Sequence, residues 1–344
     1  MIPNTGTHIL LRHNLISGEP PCEHDKTTRR AAGVMLEKEN GGFAPEGCFT
    51  TDYIPLGFDA DEMVLTWNCA APSGTGMLIE YRVQADGMRE SVWYQVGAWP
   101  PEKRLKMWRD DPDYGPLIVD HFKAERTFNR VRFRANFRSH DGARSPILRA
   151  FSLCVSDTSA KGSILPAPAT IPATSLDVPY ISQYDAEKIL NKTMIASGAC
   201  APTSVTMVLN YYGIAADVNE IGARAFDPQA SIYGNWAYLI TAASEFGPDA
   251  WVERFNNWDK IEEYVSGETP VIISVKYGPG ELDVKPEKES SGHLMVVCGF
   301  DAAGNIICND PDFDGTRGKQ LVFDRAQLST AFFRHGGVGL VIRK

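Results

Sequence analysis

The sequence predicts an α+β unit, with a helix packed on an antiparallel sheet, preceded by an all-β sandwich or jelly roll. Three observations carry this expectation. Residues 161–175 read Lys-Gly-Ser-Ile-Leu-Pro-Ala-Pro-Ala-Thr-Ile-Pro-Ala-Thr-Ser, and three prolines without a period mark an extended connector. Before the connector, short β-branched and aromatic runs sit between turn residues. After it, one segment has helical periodicity and another reads as a hairpin. The expected division is 1–160 for the β unit, 161–175 for a Pro-rich linker and 176–344 for the α+β unit. A chain of 344 residues is longer than one hydrophobic core usually serves.

Composition excludes several classes of function. Hydrophobic residues make up 43% of the chain, enough to build a core and too many for a disordered protein. The net charge of −9 disfavours nucleic acid and anionic membrane surfaces, which need basic patches. No apolar run is long enough to span a membrane. The opening Met-Ile-Pro-Asn-Thr-Gly is not a signal peptide, so the cytoplasm is the default location, with secretion or the envelope open if the chain is trimmed. Seven cysteines are scattered without a Cys-x-x-Cys pair, which points to free thiols rather than a zinc ribbon or a disulfide framework. No cofactor or metal is expected.

In the first half, Met63–Trp67, Met77–Val83 and Ser91–Trp99 read as strands bounded by turn residues. The clearest strand is Arg130–Arg138, where Val131, Phe133, Ala135 and Phe137 alternate with arginines and Asn136. Ile147–Val155 reads as the last strand. Several such strands suggest a sandwich or jelly roll. Trp67, Trp93, Trp99 and Trp108 read as core aromatics in preference to a sugar-stacking platform. The outward arginines read as a solvated face. A carbohydrate or protein ligand of this unit stays open.

In the second half, apolar residues at Val205, Val208, Leu209 and Tyr212 follow Cys200 at helical spacing. Pro202 suits the first turn and Gly213 the C-terminal cap. Cys200 therefore starts a helix, with small Gly198 and Ala199 before it. A helix N-terminus favours the thiolate, which is the nucleophile. Its unpaired N–H can face a developing oxyanion. A buried structural cysteine is the competing reading of this segment alone.

Residues 291–311 read as a hairpin around Asp-Ala-Ala-Gly. If Phe300 pairs with Asn305, Met295 faces Asp310. His293 and Asp310 are then diagonal neighbours on one sheet face, about 7–8 Å apart at Cα. A one-residue slip would place them on opposite faces. A histidine that takes a thiol proton, oriented by a carboxylate, is what nucleophilic catalysis needs. Cys200, His293 and Asp310 together predict a catalytic site.

Trp236 opens a helical run, Trp236–Phe246, and reads equally as a cleft wall or a core anchor. Val271–Tyr277 reads as a buried strand. Residues 278–291 form a polar loop that reads as a solvated connector slightly ahead of a gate. Asp312 and Asp314 supply too few oxygens for calcium.

Taken in order, Val-Pro-Tyr-Ile-Ser-Gln (178–183), Cys-Ala-Pro-Thr-Ser with its helix ending Asn-Tyr-Tyr-Gly (200–213), Tyr-Gly-Asn-Trp (233–236), Gly-His-Leu-Met-Val-Val (292–297) and Asn-Asp-Pro (309–311) resemble a known set. They resemble the stand-alone relatives of bacteriocin-processing, double-glycine leader peptidases in the papain-like cysteine peptidase superfamily. The resemblance covers about residues 176–344, and the first half resembles, less specifically, the β-domain preceding such peptidases. It implies Cys200 as nucleophile, His293 as general base and acid, Asp310 as orienting carboxylate and Gln183 as a side-chain oxyanion donor. Ala201 stands where the family pattern often has Gly. The gap from Gln183 to Cys200 is longer than in the transporter-linked peptidases. No Gly-x-x-x-x-Gly-Lys-Ser/Thr motif is present, so the implied substrate is an independent peptide or protein. Two other functions remain open at this stage: an amidase or acyltransferase on the same residues, and a β-sandwich binding protein with an idle peptidase-like domain.

Overall fold

The computed structural model describes residues 2–3, 7–102, 109–159, 163–164, 172–185, 194 and 198–344. Most of the Pro-rich stretch at 161–175 lies outside these residues, as does Trp108. The chain divides into two compact units. One holds Ile9–Ser159 with Asp227–Ala230, and the other holds Met1–His8, Ala160–Phe226 and Ser231–Lys344. Among the described residues strand makes up 45% and helix 16%, so the α+β expectation needs correcting toward β. The reason lies in the first unit, whose strands run far longer than their sequence signals. Among the described residues, no helix is long and apolar enough to cross a membrane.

The first unit is built on bent strands. His121–Ser139, a strand of 19 residues, pairs with Ile54–Ala70 along its first part and with Glu46–Thr51 along its last. Register shifts between Lys123 and Arg130 interrupt its pairing with Ile54–Ala70, which is how a long strand bends around a core. Val131, Phe133, Ala135 and Phe137 are all fully buried. The Phe133 and Phe151 rings stack 4.1 Å apart. Trp67 and Trp99 are core residues. The outward arginines are held in place: Arg134 binds the buried Glu80 at 2.6 Å and lies over Trp93, while Arg130 binds Asp86.

The second unit carries an antiparallel sheet in the order Asp249–Arg254, Val338–Arg343, Val271–Tyr277, Ser290–Phe300, Ile306–Asn309, Leu321–Phe323. The helix Cys200–Tyr211 packs on Ser290–Phe300. Its last turn closes with Ile214 N–H donating to Leu209 O (3.1 Å), and Gly213 takes φ +72°, a conformation that favours glycine. Ten consecutive helical residues, Cys200 to Leu209, are buried.

The hairpin register differs from expectation at the turn and agrees with it at the far end. Phe300 pairs with Ile306, not Asn305. The Asp301 carboxylate accepts the N–H groups of Ala303 and Asn305, which keeps Asn305 in the turn. A bulge then follows: Val297 pairs with Cys308 while Gly299 pairs with Ile307, leaving Cys298 extra. Beyond it Val296 pairs with Asn309, the register that sets Met295 opposite Asp310. Thr174–Ser175 pairs with Gly299 and Phe300, on the edge where Val271–Tyr277 has ended. Leu176 N–H then takes the Cys298 carbonyl at 2.8 Å.

Asn309 locks this end of the hairpin. Its side chain donates to Val178 O (2.9 Å) and accepts Gln320 N–H (2.9 Å), with no exposure of its own. Leaving buried partners unpaired costs about 1–3 kcal/mol each. Asn309→Ala is therefore expected to lower the Tm by about 5–10 °C, at about 2–4 °C per kcal/mol for a unit of this size. Thermal unfolding followed by circular dichroism checks it, and a shift below about 2 °C would refute the lock.

Candidate active site

Cys200 is the first residue of its helix, and the cap residue Ala199 contributes no side-chain hydrogen bond. Gly198 before it takes φ +95°. The helix is tied to the histidine strand by Ser204 Oγ, which donates to Leu294 O at 3.2 Å. This sets the Cys200 sulfur beside His293 and the backbone N–H of Leu294, while the thiol also reaches Gly198 O at 4.0 Å. Both residues are buried, Cys200 at 9% and His293 at 5% exposure. The open side of the pair is thus narrow.

His293 donates from Nε2 to Asp310 Oδ1 at 2.7 Å. That leaves Nδ1 for the sulfur. The bulge described above is what makes this bond available, because it returns His293 and Asp310 to one face. Asp310 is fully buried. Its other oxygen, Oδ2, takes Lys285 Nζ at 2.8 Å, and its Oδ1 also accepts Asp312 N–H at 2.9 Å. Gly318 closes in from the far side, its carbonyl accepting the Asp310 N–H at 2.9 Å. A Cβ there would lie 2.1 Å from Asp310 O, so only glycine fits.

Lys285 is the residue that sequence reasoning missed. The solvated-connector reading of loop 278–291 is corrected here. The Lys285 side chain has no exposure and lies between Asp310 Oδ2 and Asp312 Oδ2 (2.8 and 2.9 Å), with the Tyr277 and Phe313 rings about its ammonium. Glu281 binds Arg334, and Lys288 binds Asp312, so the loop is pinned along its length. A single lysine in an acidic-basic loop carries no periodicity that would reveal its burial. The nearest signal was the Asp310-Pro311-Asp312 pair, two carboxylates needing a cation.

The electrostatics follow from burial and pairing. Burial disfavours the charged His293, but the Asp310 carboxylate and the bond to Cys200 outweigh it and raise the pKa to about 9. Burial also works against the Cys200 thiolate, and the His293 bond and charge with the Leu294 N–H bring its pKa below the usual thiol value. Asp310, despite burial, is held well below the ordinary carboxylate range by His293 and Lys285. Two other buried cysteines, Cys298 and Cys308, are pushed up by burial, which at Cys298 outweighs the Asn309 N–H and the Lys319 charge.

Gln183 sits beside the same segment. Its backbone N–H donates to Pro311 O at 2.9 Å. Its side-chain Nε2 reaches Asp312 Oδ1 at a long 3.4 Å, and its buried Oε1 has no partner. Trp236 is the first residue of the helix Trp236–Glu245 and is half-buried. The Asp312 oxygens face Lys285 and Lys288, charges that a calcium ion would have to displace.

Residues 175–339 match the Peptidase C39 like family, and residues 28–156 match the Peptidase C39 N-terminal domain. The chain therefore carries a C39-like peptidase domain, preceded by a domain found N-terminal to such peptidases. Among solved structures it is similar to a chain described as a C39-like peptidase from Bacillus anthracis, at 17% identity over 51% of this chain and 98% of that one (TM-score 0.38). It is also similar to a xylan-binding module, at 12% identity over 44% of this chain and all of that one (TM-score 0.20). No curated protein matches.

Removing the buried cation tests the network. Lys285→Met leaves two carboxylates facing each other in the interior, and breaking a buried pair costs about 3–5 kcal/mol. Asp310 has a depressed folded pKa, so its contribution is present above the unfolded value of about 3.9 and is lost as pH falls below it. The deficit of Lys285→Met relative to wild type is therefore expected to be large at neutral pH and to shrink on acidification below about pH 4. Denaturant unfolding of both proteins across that range checks it. A deficit independent of pH would make Lys285 a packing residue only.

Proposed function

We propose that the chain is a papain-like cysteine peptidase that hydrolyses peptide bonds through a thioester on Cys200. The observation that carries the reading is the buried series Cys200, His293 and Asp310, in which His293 bonds Asp310 at 2.7 Å and favours the Cys200 thiolate beside it. The family match over 175–339 supports it at the level of a peptidase. The Cys200 thiolate attacks the scissile carbonyl carbon. Negative charge then develops on the carbonyl oxygen, where the Cys200 backbone N–H at the helix start and the Gln183 amide donate. His293 passes its proton to the leaving amine and next takes one from the water that cleaves the thioester. Asp310 keeps the imidazole in register and favours its charged form. Gln183 is free to swing toward the oxyanion because its bond to Asp312 is long. Trp236 walls the substrate cleft. The substrate is an independent peptide or protein.

A peptide-library cleavage screen on wild type beside Cys200→Ala tests the reading. Cleavage by wild type alone is expected, and equal cleavage by both, or by neither, would overturn it. On a peptide so found, kcat/KM should rise with pH as Cys200 ionises and fall near pH 9 as His293 loses its proton. Asp310 raises the His293 pKa, so Asp310→Asn should move the alkaline limb to lower pH as well as slow the reaction. An unmoved limb would mean that it belongs to another group.

Gln183→Ala should lower kcat by about 10²–10³, the range for one oxyanion donor, with little change in KM. Near-normal kcat with a lowered Tm would remove Gln183 from the site.

A further inference from the structure

We infer that Glu19, Cys22 and His24, in the N-terminal unit, form a binding site for one divalent ion of the zinc class. Cys22 and His24 lie two apart on the strand Cys22–Asp25, so both side chains leave the same face. Among the described residues this strand pairs only with Glu46–Thr51. Glu19 stands on the preceding loop, and that loop is fixed by Arg29, which donates to Leu15 O and Ile16 O at 2.8 and 2.7 Å. The three ligand atoms lie within 4.8 Å of one another.

The ring orientation of His24 supplies the chemical argument. Thr27 Oγ1 gives its proton to Cys48 O at 3.0 Å, so it can only accept from His24 Nδ1 at 2.9 Å. The proton of the neutral ring is therefore on Nδ1, and the Nε2 lone pair points at Glu19 Oε2 (3.2 Å) and Cys22 Sγ (3.8 Å). Three electron-pair donors converge with a fixed histidine tautomer, the outer-shell arrangement that metal-binding histidines use. Tetrahedral zinc with ordinary bond lengths separates N from O by about 3.4 Å and S from N by about 3.6 Å. The two separations from His24 Nε2 here lie within about 0.2 Å of those values. The fourth position is left to water or to the Asp52 carboxylate, whose backbone is tied to Pro21 at 2.7 Å.

Binding forms the S–metal bond and breaks S–H, releasing one proton to the buffer with no change of oxidation state. The sequence hid the site because Glu-x-x-Cys-x-His has neither paired cysteines nor helical histidine spacing.

Cobalt(II) is the probe, because a cobalt–thiolate bond absorbs in the near ultraviolet. The full chain carries Cys200→Ala so that the active-site thiol cannot contribute. The expected result is an absorption band that saturates at one equivalent, is displaced by zinc and is lost with Cys22→Ala added. His24→Ala should weaken cobalt binding at least about tenfold, as loss of a ligand does. The absence of the band, its survival in the Cys22→Ala protein, or unchanged affinity in His24→Ala would each overturn the assignment and leave a plain His24–Glu19 ion pair.

Discussion

The second unit depends on one buried anion. Asp310 has no exposure, and an isolated carboxylate in such a place is costly. It is tolerated because a cation meets each oxygen, His293 at Oδ1 and Lys285 at Oδ2. Both cations precede Asp310 in the chain, Lys285 in a loop and His293 on the strand that follows it. Lys285 anchors loop 278–289, and His293 anchors the strand on which the helix of Cys200 rests. Neutralising one charge therefore fixes a loop, a strand and the Cys200 helix together. A buried ion pair of this kind adds little stability over a well-packed apolar core, but it is severe on any arrangement that separates its members. The physical gain is specificity of position.

The same anion explains the importance of the bulge at Cys298. A strand side chain has only two faces to choose from, so His293 and Asp310 either share a face or cannot meet. Continued from the Phe300–Ile306 pair without interruption, the hairpin would set Asp310 opposite Val296, three residues from His293 and on the wrong side. One extra residue reverses this. The bulge is stabilised from outside the hairpin, by Thr174–Ser175 and Leu176 pairing where the neighbouring strand has stopped. Gly299 permits that approach, since a Cβ would lie 2.0 Å from Thr174 O. The segment leading to Gln183 thus helps to set the register of the histidine.

Much of this was legible in the sequence, and the parts that were not share a cause. The helix after Cys200 announced itself by its period and by Pro202 and Gly213. Arg130–Arg138 announced itself by strict alternation. The His293–Asp310 relation was reached from an assumed turn pair that is wrong by one residue, and the bulge brings the register back. Such a bulge leaves no mark on a hydrophobic pattern, because Val296, Val297 and Cys298 are all apolar and all buried. Lys285 was missed for a related reason. Periodicity reports which face of a regular element is buried, and a loop has no period. Its burial is decided by Asp310 and Asp312, 25 and 27 positions later. The excess of strand over helix was likewise invisible, since bent strands such as His121–Ser139 continue through Glu125, Arg126 and Thr127, which carry no strand signal.

Charge balance ties these pieces to the chemistry. Lys285 and Lys288 offset Asp310 and Asp312, so the group beneath the histidine is close to neutral. Moving a proton from Cys200 to His293 then creates no net charge in the interior, only a short dipole. Such a transfer costs far less desolvation than ionising either residue alone. The direction of the transfer is set by what each end touches. The sulfur meets the Leu294 N–H, which prefers an anion, and the ring meets Asp310, which prefers a cation. Lys285 has a double effect in this balance. It keeps Asp310 ionised, which favours imidazolium, and it offsets part of the negative charge that would otherwise hold the proton on His293 too firmly to release. A carboxylate lacking that counter-ion would make His293 a stronger base and a poorer acid, whereas peptide cleavage needs one residue to serve as both.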